Sequence, residues 1–292
     1  MYKVGAVIVT YNINEKFNVT INSLRNQVEE IVVVDNGSCP DTIKVLDNLK
    51  SNITLIKLNE NKGIAYALNK GIDYCIDKEY DWIITLDHDS VLSDNMISKM
   101  LTEYNNLNDY IKEKTAMIVP KHIEEKIYNL DYLEENINES KYEEVLTEIT
   151  SGAMVKTQIY KEIGKYDNDL FIDSVDHDYC LFLNRKGFKV LRFKSAILKH
   201  NLGDTKYRKL FGIKDIAYSN HSPLRRYYIS RNRLYIWKKY KGEFDQWIKS
   251  DKKTFIRELL MIAIFEENKI AKFKMTFLGI RDYLNNKKGK FR

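Results

Sequence analysis

The sequence predicts an α/β fold built on a mostly parallel, doubly wound sheet. Short apolar runs rich in β-branched residues alternate with stretches of helical periodicity along the first 90 residues. Polar residues follow these runs directly, as they do at the carboxyl ends of buried parallel strands. The 292 residues include only 3 Pro and 12 Gly, so long disordered linkers are not expected. The chain is long enough for one α/β domain with an appendage, or for two small domains.

Four strands are predicted in the first 90 residues, and the first two have the apolar composition of strands buried on both faces. The four strands are Val4–Thr10, Ile31–Val34, Ile53–Leu58 and Trp82–Leu86. Helices are predicted between them, at Glu15–Asn26, Asp41–Leu49 and Gly63–Lys78. Asp41 is a candidate N-cap for the second helix. Strands that alternate with helices indicate right-handed βαβ units.

The second half of the chain has a less regular pattern. Residues 129–148 are acidic and are predicted to be helical or irregular. An apolar group follows at Ala153–Val155, and a polar segment at Phe171–Asp178. A helix is then predicted through Arg185, and a strand near Val190–Phe193. Thr254–Leu284 contains no Pro and is predicted to form one or two amphipathic helices.

The net charge of +6 conceals a strong asymmetry. Residues 205–292 hold 23 Lys and Arg against 8 Asp and Glu, whereas residues 1–204 hold 24 against 33. A basic surface suits a polyanion, a phosphate-bearing ligand or an anionic membrane; the alternative is a set of solvated basic helices. Nucleic-acid binding is not expected, because the chain has no RNP motif, zinc-finger spacing or Gly-Arg repeat. The acidic motifs of the first half would also repel a phosphate backbone.

Cysteine usage and hydropathy bear on the compartment. Cys39, Cys75 and Cys180 are widely spaced and odd in number, which predicts neither a disulfide framework nor a zinc site. A reducing, cytoplasmic compartment is the simpler interpretation. No signal peptide is recognised ahead of the first strand. The longest purely apolar run, Leu259–Phe265, is far below the ~18–20 residues that span a bilayer, so a soluble or peripheral protein is expected.

Asp87 and Asp89 are candidate metal ligands. They lie two residues apart at a predicted strand end, where extended backbone would point both carboxylates the same way and His88 the other. Such a pair suits Mn²⁺ or Mg²⁺, and these ions in turn hold phosphate oxygens. The alternative is a loop with two solvated acids.

Two further segments can contact a nucleotide. Asp35 follows a buried strand and can accept a hydrogen bond from a base N–H, and the turn at residues 36–38 is expected to leave backbone N–H groups free. The alternative is an ordinary Asx turn. Gly63 stands just before a predicted helix, where backbone can approach a ribose or phosphate closely; the alternative is a plain helix start.

Read together, these segments resemble the family 2 glycosyltransferases of GT-A fold. The motifs that carry the resemblance are Val7–Asn12, Val34–Ser38, Asn61–Gly71 and Asp87–Asp89. The resemblance covers about residues 3–240 and implies a Rossmann-like, mostly parallel central sheet flanked by helices, with a C-terminal helical extension. It implies a catalytic domain at 1–240, with a nucleotide-binding half at 1–90 and an acceptor and catalytic half at 91–240. The remaining 241–292 would be a basic amphipathic extension.

The resemblance also implies which residues bind the nucleotide sugar. They are Thr10, Tyr11, Asn12, Asp35, Asn36, Gly37, Lys62, Gly63, Asp87, His88, Arg225, Arg226 and Arg231. The arginines would neutralise the leaving diphosphate, for which a guanidinium offers a bidentate fork; the alternative is a basic helix without a ligand. Their segment, His221–Asn232, is similar to the rhamnosyltransferase branch that uses dTDP-L-rhamnose. A UDP-glucose or UDP-galactose donor stays open, because the sequence around Asp35 does not separate thymine from uracil.

Motifs of the second half are similar to the family as well. Thr150–Ala153 looks like its acceptor-side turn, and Phe171–Cys180 looks like the segment that carries the catalytic base. Asp176 is the candidate base, although many members have Glu-Asp where this chain has Val175–Asp176. The acceptor-side candidates are Ser151, Gly152, Asp173 and Asp178. His200 is similar to a late His that completes the metal shell with Asp87 and Asp89; the alternative is a loop histidine.

The expected activity is inverting transfer of a sugar to a hydroxyl of a glycan or lipid-linked glycan acceptor. An inactive scaffold is the rival, against which the retained aspartates and His200 argue. Basic residues between Lys238 and Lys253, followed by apolar residues at helical spacing, predict that the C-terminal segment docks at the inner face of the cell membrane. The alternatives are packing against the catalytic domain and a homodimer interface.

Overall fold

The chain forms two compact units. The computed structural model describes residues 2–13, 17–123, 142–199, 205–210 and 214–292. Unit 1 comprises Met1–Asn168 and Val175–Asn201, and unit 2 comprises Asp169–Ser174 and Leu202–Arg292. The predicted division at residue 240 falls within unit 2, at the end of a helix, and the predicted division at residue 90 falls within unit 1.

Within the described ranges, unit 1 is built on a nine-stranded sheet. Its strands are β1 Val4–Thr10, β2 Glu30–Asp35, β3 Thr54–Lys57, β4 Trp82–Asp87, β5 Val91–Leu92, β6 Thr115–Ile123, β7 Tyr142–Val145, β8 Met154–Lys156 and β9 Lys189–Lys199. The strand order is β3-β2-β1-β4-β8-β6-β9-β5, and β7 pairs with β9. The first four strands are parallel, as predicted, whereas β8 is antiparallel to both β4 and β6.

The parallel register gathers polar residues at one edge of the sheet. Thr10 pairs with Asp35 across β1 and β2, and Val9 pairs with Asp87 across β1 and β4. All seven residues of β1 are buried, so the strand's apolar run fills the centre of the core. The carboxyl ends of three predicted strands therefore meet where the sequence placed a ligand site.

Seven α-helices of unit 1 lie within the described residues. They are α1 Phe17–Leu24, α2 Pro40–Asn48, α3 Ile64–Asp77, α4 Met96–Asn105, α5 Asp109–Lys114, α6 Thr157–Ile163 and α7 Val175–Arg185. The N-cap of α2 is Cys39 rather than the predicted Asp41, because Pro40 opens the helix and leaves Asp41 in the first turn. Gly71 lets α3 lie against the sheet, since a Cβ there would stand 2.4 Å from Val7 Cγ1.

Part of the segment predicted to be helical or irregular is a strand. Tyr142–Val145 forms β7, antiparallel to β9, while residues 129–141 lie outside the described residues. Glu144 pairs with Lys189 and Glu143 pairs with Arg192 across the two strands. Opposite charges on facing strands favour this pairing. The acidic composition alone did not reveal it, because the basic partners lie more than 40 residues further along the chain.

In the part of the chain that the structure describes, unit 2 contains an antiparallel hairpin and three helices. The hairpin consists of β10 Thr205–Leu210 and β11 Lys214–Ser219, and the helices are α8 Pro223–Lys239, α9 Asp245–Ile264 and α10 Lys269–Leu284. The predicted amphipathic stretch Thr254–Leu284 is thus the end of α9 and the whole of α10. Gly279 permits close packing of α10 on α8, because a Cβ there would lie 2.4 Å from the carbonyl oxygen of Tyr227. Among the described residues, no helix is long and apolar enough to cross a membrane.

Candidate active site

Asp35 organises the turn that follows β2. Its Oδ2 accepts hydrogen bonds from the backbone N–H groups of Gly37 and Ser38, both at 3.1 Å. Its Oδ1 accepts from the Thr10 hydroxyl at 3.3 Å. The prediction that this turn leaves its N–H groups free is therefore wrong, because the preceding carboxylate already binds two of them. Asp35 is 0% exposed and holds the Asx turn that the sequence left open as an alternative.

Two asparagines join the three predicted nucleotide-binding segments. Asn36 Oδ1 accepts from the backbone N–H of Lys62 at 2.9 Å, which ties the β2 turn to the loop before α3. Asn12 Oδ1 accepts from the N–H of Cys39 at 2.9 Å, which ties the same turn to the end of β1. Gly63, with a φ of +92°, then opens α3. The structure brings these segments together with the side chains of Tyr11 and Lys62 exposed beside them.

The turn after β2 is expected to require glycine at position 37. Gly37 has a φ of +80°, and a Cβ there would lie 2.5 Å from the carbonyl carbon of Glu60. Gly187 has a φ of +81° but open space around it, so it is a matched control. Gly37→Ala should lower the free energy of unfolding by about 1–3 kcal/mol more than Gly187→Ala in urea titrations. Equal losses in the two variants would mean that the backbone around Glu60 yields without cost.

The acidic motif lies where β4 ends. The strand stops at Asp87, and His88 and Asp89 form a turn in which the N–H of Ser90 bonds to the carbonyl oxygen of Asp87 at 3.3 Å. The argument from alternating side chains therefore does not apply to Asp89, because its backbone is not extended. The Thr20 hydroxyl anchors this turn by donating to the carbonyl oxygen of His88 at 3.0 Å. Both carboxylates are partly exposed at the sheet edge.

The acceptor-side turn is joined to the acidic motif. Ser151 Oγ accepts from the backbone N–H of Asp87 at 3.1 Å and lies 2.7 Å from Ser90 Oγ. The N–H of Gly152 donates to the carbonyl oxygen of Thr85 at 2.7 Å. Gly152 has a φ of +80°, and a Cβ there would stand 2.9 Å from a Pro120 ring carbon. Ser151 is buried, and its hydroxyl holds the Asp87 loop in place. Its role here is therefore structural.

The sequence did not predict the network of His122, Glu148 and Arg192 that lies behind this turn. His122 Nε2 lies 2.9 Å from the carbonyl oxygen of Ser151, and its Nδ1 lies 3.5 Å from Glu148 Oε1. Arg192 Nε donates to Glu148 Oε2 at 2.8 Å. Because that carbonyl can only accept, Nε2 carries a proton in this arrangement. The three side chains come from β6, β9 and the segment before β8, and no local pattern links residues so far apart in the chain.

Asp176 lies in the first turn of α7. Its Oδ1 accepts from the backbone N–H of His177 at 2.8 Å, and the residue is only partly buried. The nearby Tyr166 keeps its proton, since burial and the neighbouring Tyr179 raise its pKa well above the ordinary range. Burial likewise raises the pKa of Cys180 to about 12. These two groups are therefore unsuited to accept a proton at neutral pH. Asp178, in the same turn, is buried.

The three predicted phosphate-binding arginines differ in their surroundings within unit 2. Arg226 is 1% exposed, and its guanidinium lies 2.7 Å from Glu258 and 2.8 Å from Glu266. Arg231 is also 1% exposed and donates to the carbonyl oxygens of Gly289 at 2.7 Å and Leu170 at 3.2 Å.

These two positions do not fit the predicted contact with a diphosphate, because the guanidinium groups already bind internal acceptors. Arg225 differs: its side chain is 46% exposed and pairs with Asp173 at 3.0 Å. Of the three arginines, it is the one that presents its charge to solvent.

The segment around Asp173 has an unusual backbone. Phe171, Asp173 and Ser174 have φ values of +65°, +63° and +64°, a region that residues other than glycine seldom occupy. Asn232 Nδ2 lies 2.8 Å from the carbonyl oxygens of Leu170 and Ile172 and 2.9 Å from that of Asp173. Such conformations persist only where the surroundings over-determine them, and they concentrate at functional sites.

The third predicted metal ligand, His200, lies outside the described residues. Within the described part of the chain, no group of three or more His, Cys, Asp or Glu residues is placed to hold a metal ion.

An α/β sheet with a turn and an acidic strand end gathered along its carboxyl edge is an architecture suited to binding a nucleotide, and it is found in glycosyltransferases among other classes. The family described as Glycosyl transferase family 2 matches residues 6–164. The chain is 32% identical over 286 residues to the dTDP-rhamnosyl transferase RfbF of Shigella flexneri. The match covers 95% of this chain and 94% of that protein. The chain belongs to glycosyl transferase family 2.

Solved structures confirm the GT-A fold class. The structure of GalNAc-T7 with UDP, GalNAc and Mn²⁺ matches with a TM-score of 0.62 at 14% identity; the match covers 97% of this chain but only 56% of that one. The structure of S. aureus TarS 1–349 in complex with UDP-GlcNAc matches with a TM-score of 0.55 at 13% identity and covers 98% of this chain and 81% of that one. At these identities the likeness concerns the fold alone.

Proposed function

We propose that this glycosyltransferase moves L-rhamnose from dTDP-rhamnose onto a hydroxyl of a cell-surface polysaccharide or lipid-linked glycan precursor. The observation that carries the donor is the 32% identity to a dTDP-rhamnosyl transferase across nearly the full length of both chains. The segment around Arg225, similar to rhamnosyltransferases in sequence, lies within the matched region. A UDP-hexose donor is the alternative, because the sequence around Asp35 does not separate thymine from uracil.

The proposed chemistry is direct displacement at the anomeric carbon. An acceptor hydroxyl is a poor nucleophile, so a carboxylate must take its proton as the new bond forms. Asp176 is the proposed base: it is partly exposed, whereas Asp178 in the same turn is buried. With one base and no covalent intermediate on the enzyme, the anomeric configuration inverts, so a β-linked donor gives an α-linked rhamnoside.

Asp87 and Asp89 are the proposed holders of Mn²⁺ or Mg²⁺. Their oxygen donors suit hard divalent cations, and sites for such ions often use one or two carboxylates with substrate phosphates and water as the other ligands. Asp87 and Asp89 fit this type of site, because they are partly exposed and no group of three candidate ligands is found among the described residues. The bound ion would offset the charge of the leaving diphosphate.

The donor is tested by ligand-induced stabilisation. With Mn²⁺ present, dTDP-rhamnose at about 100 times its Kd should raise the Tm by roughly 5 °C, because binding to the folded state alone shifts unfolding by mass action. UDP-glucose and UDP-galactose at the same concentration are the controls and should raise the Tm little. A shift with either UDP-sugar and none with dTDP or dTDP-rhamnose would replace the proposed donor by a UDP-hexose.

A further inference from the structure

The exposed apolar residues of unit 2 are concentrated on its last two helices. Seven of the twelve most exposed large hydrophobic residues in the described chain lie on α9 and α10, each between 40% and 87% exposed. They are Ile256, Leu260, Ile264, Ile270, Phe273, Phe277 and Leu284. Scattered single residues of this kind are ordinary, whereas grouping on two successive helices indicates a contact surface.

Helical geometry places these residues on one face of each helix. Ile256, Leu260 and Ile264 recur every four residues, which in a helix keeps them on a common stripe. On α10, Ile270 and Phe277 lie seven residues apart, and Phe273 lies between them on the same side. We call the exposed stripes of both helices, with the cations described next, the amphipathic face.

Cations are interleaved with the apolar residues on the amphipathic face. Lys249 and Lys253 are exposed and precede Ile256 on the stripe of α9 by two turns and one turn, respectively. Lys274 and Arg281 are exposed on α10, four residues after Ile270 and four residues after Phe277. The face thus alternates aliphatic or aromatic residues with positive charge, a composition that suits an interfacial helix better than a protein core.

Three of the four acidic side chains on α9 and α10 are turned away from this face. Asp251 and Asp282 are buried. Glu258 lies 2.7 Å from Arg226 and 2.8 Å from Arg233, so its charge is paired on the inner side of α9. The fourth acid, Asp245, is exposed at the very start of α9, four residues before Lys249, and accepts from the N–H of Gly242 at 2.9 Å. Arg281 also pairs with Asp282 at 3.3 Å. The four cations of the face outnumber its one acid, Asp245, so its net charge is positive.

We propose that the amphipathic face docks this enzyme on an anionic lipid bilayer. The positive charge of the face favours a bilayer over a second copy of this chain. A second copy in face-to-face contact would set lysine and arginine against like charges, whereas anionic headgroups complement them. The apolar stripes would enter the boundary between headgroups and acyl chains, as amphipathic helices do. The inference stands on unit 2 alone and does not depend on which nucleotide sugar is the donor.

Vesicle flotation with the full-length chain tests the docking. The protein should float with phosphatidylcholine vesicles that contain phosphatidylglycerol, remain unbound with phosphatidylcholine alone, and be released as salt rises to roughly 0.5 M. Lys253→Glu with Lys274→Glu should reduce the bound-to-free ratio by at least about tenfold. Ile270→Ser with Phe277→Ser should reduce it similarly, because the apolar insertion is removed.

Matched controls come from α2, where Lys44 and Val45 are also exposed. Lys44→Glu and Val45→Ser should float as the wild type does. All variants should keep the donor-induced thermal shift, so a docking failure is distinguishable from a wrong donor. The proposal is overturned if the intact chain does not bind anionic vesicles at low salt, or binds neutral vesicles equally. It is also overturned if Ile270→Ser with Phe277→Ser only converts a dimer to a monomer, which would make a second copy the occupant.

Discussion

Asp176→Asn should lower kcat by about 10²–10⁴-fold while leaving the affinity for the donor unchanged. An amide cannot take the proton of the attacking hydroxyl, whereas its size and its acceptor oxygen still satisfy the N–H of His177, which bonds to Asp176 Oδ1 at 2.8 Å. The fold should therefore survive. Hydrolysis of the donor by water reports the same proton transfer, so kcat is measurable before the glycan acceptor is known.

The control for this variant is Asp41→Asn. Asp41 also lies in the first turn of a helix, α2, and its side chain is 91% exposed. It reproduces the loss of a negative charge near a helix N-terminus without touching the proposed site. Normal turnover by Asp176→Asn, together with loss of turnover in Asp173→Asn, Asp178→Asn or His177→Gln, would assign the base to a different side chain of this segment.

Asp89→Ala should reduce turnover by at least about 10²-fold and weaken donor binding in the presence of Mn²⁺. A divalent ion contributes several kcal/mol to stabilising the charge of the leaving diphosphate, and each 1.36 kcal/mol is tenfold in rate. The thermal stability should change little, because Asp89 lies in a partly exposed turn after β4. Excess EDTA should produce the same loss in the wild-type enzyme, and Mn²⁺ should restore it.

A direct binding measurement separates the metal from the rest of catalysis. Titration of Mn²⁺ into the wild-type chain with dTDP, followed by the paramagnetic signal of the free ion, should show binding that Asp89→Ala lacks. Asp94→Ala is the matched control, since Asp94 is an exposed aspartate five residues further along the chain. If the wild-type enzyme keeps full activity in excess EDTA, the acidic motif has a role other than metal binding.

Family membership could be recognised before the structure because several short motifs recur in order along the sheet edge. The turn after β2 and the end of β4 are separated by about fifty residues, yet each follows a strongly apolar strand. Parallel strands bring their carboxyl ends together, so strand position alone predicted that Asp35 and Asp87 belong to one edge. The contacts that join those loops, such as Asn36 with Lys62, required coordinates.

The sequence by itself determined the α/β class, the first four strands and the loops of the candidate site, since burial imposes a local hydrophobic period that can be read residue by residue. Only the tertiary structure decided which charged groups are free to act. Arg225 and Arg226 are adjacent and chemically identical, yet one reaches solvent and the other is enclosed by Glu258 and Glu266. It also placed His122 against the Ser151 carbonyl. The physical reason is that desolvation and pairing depend on partners distant in the chain, so the same side chain becomes a solvent-facing cation or an internal ion pair according to what packs around it.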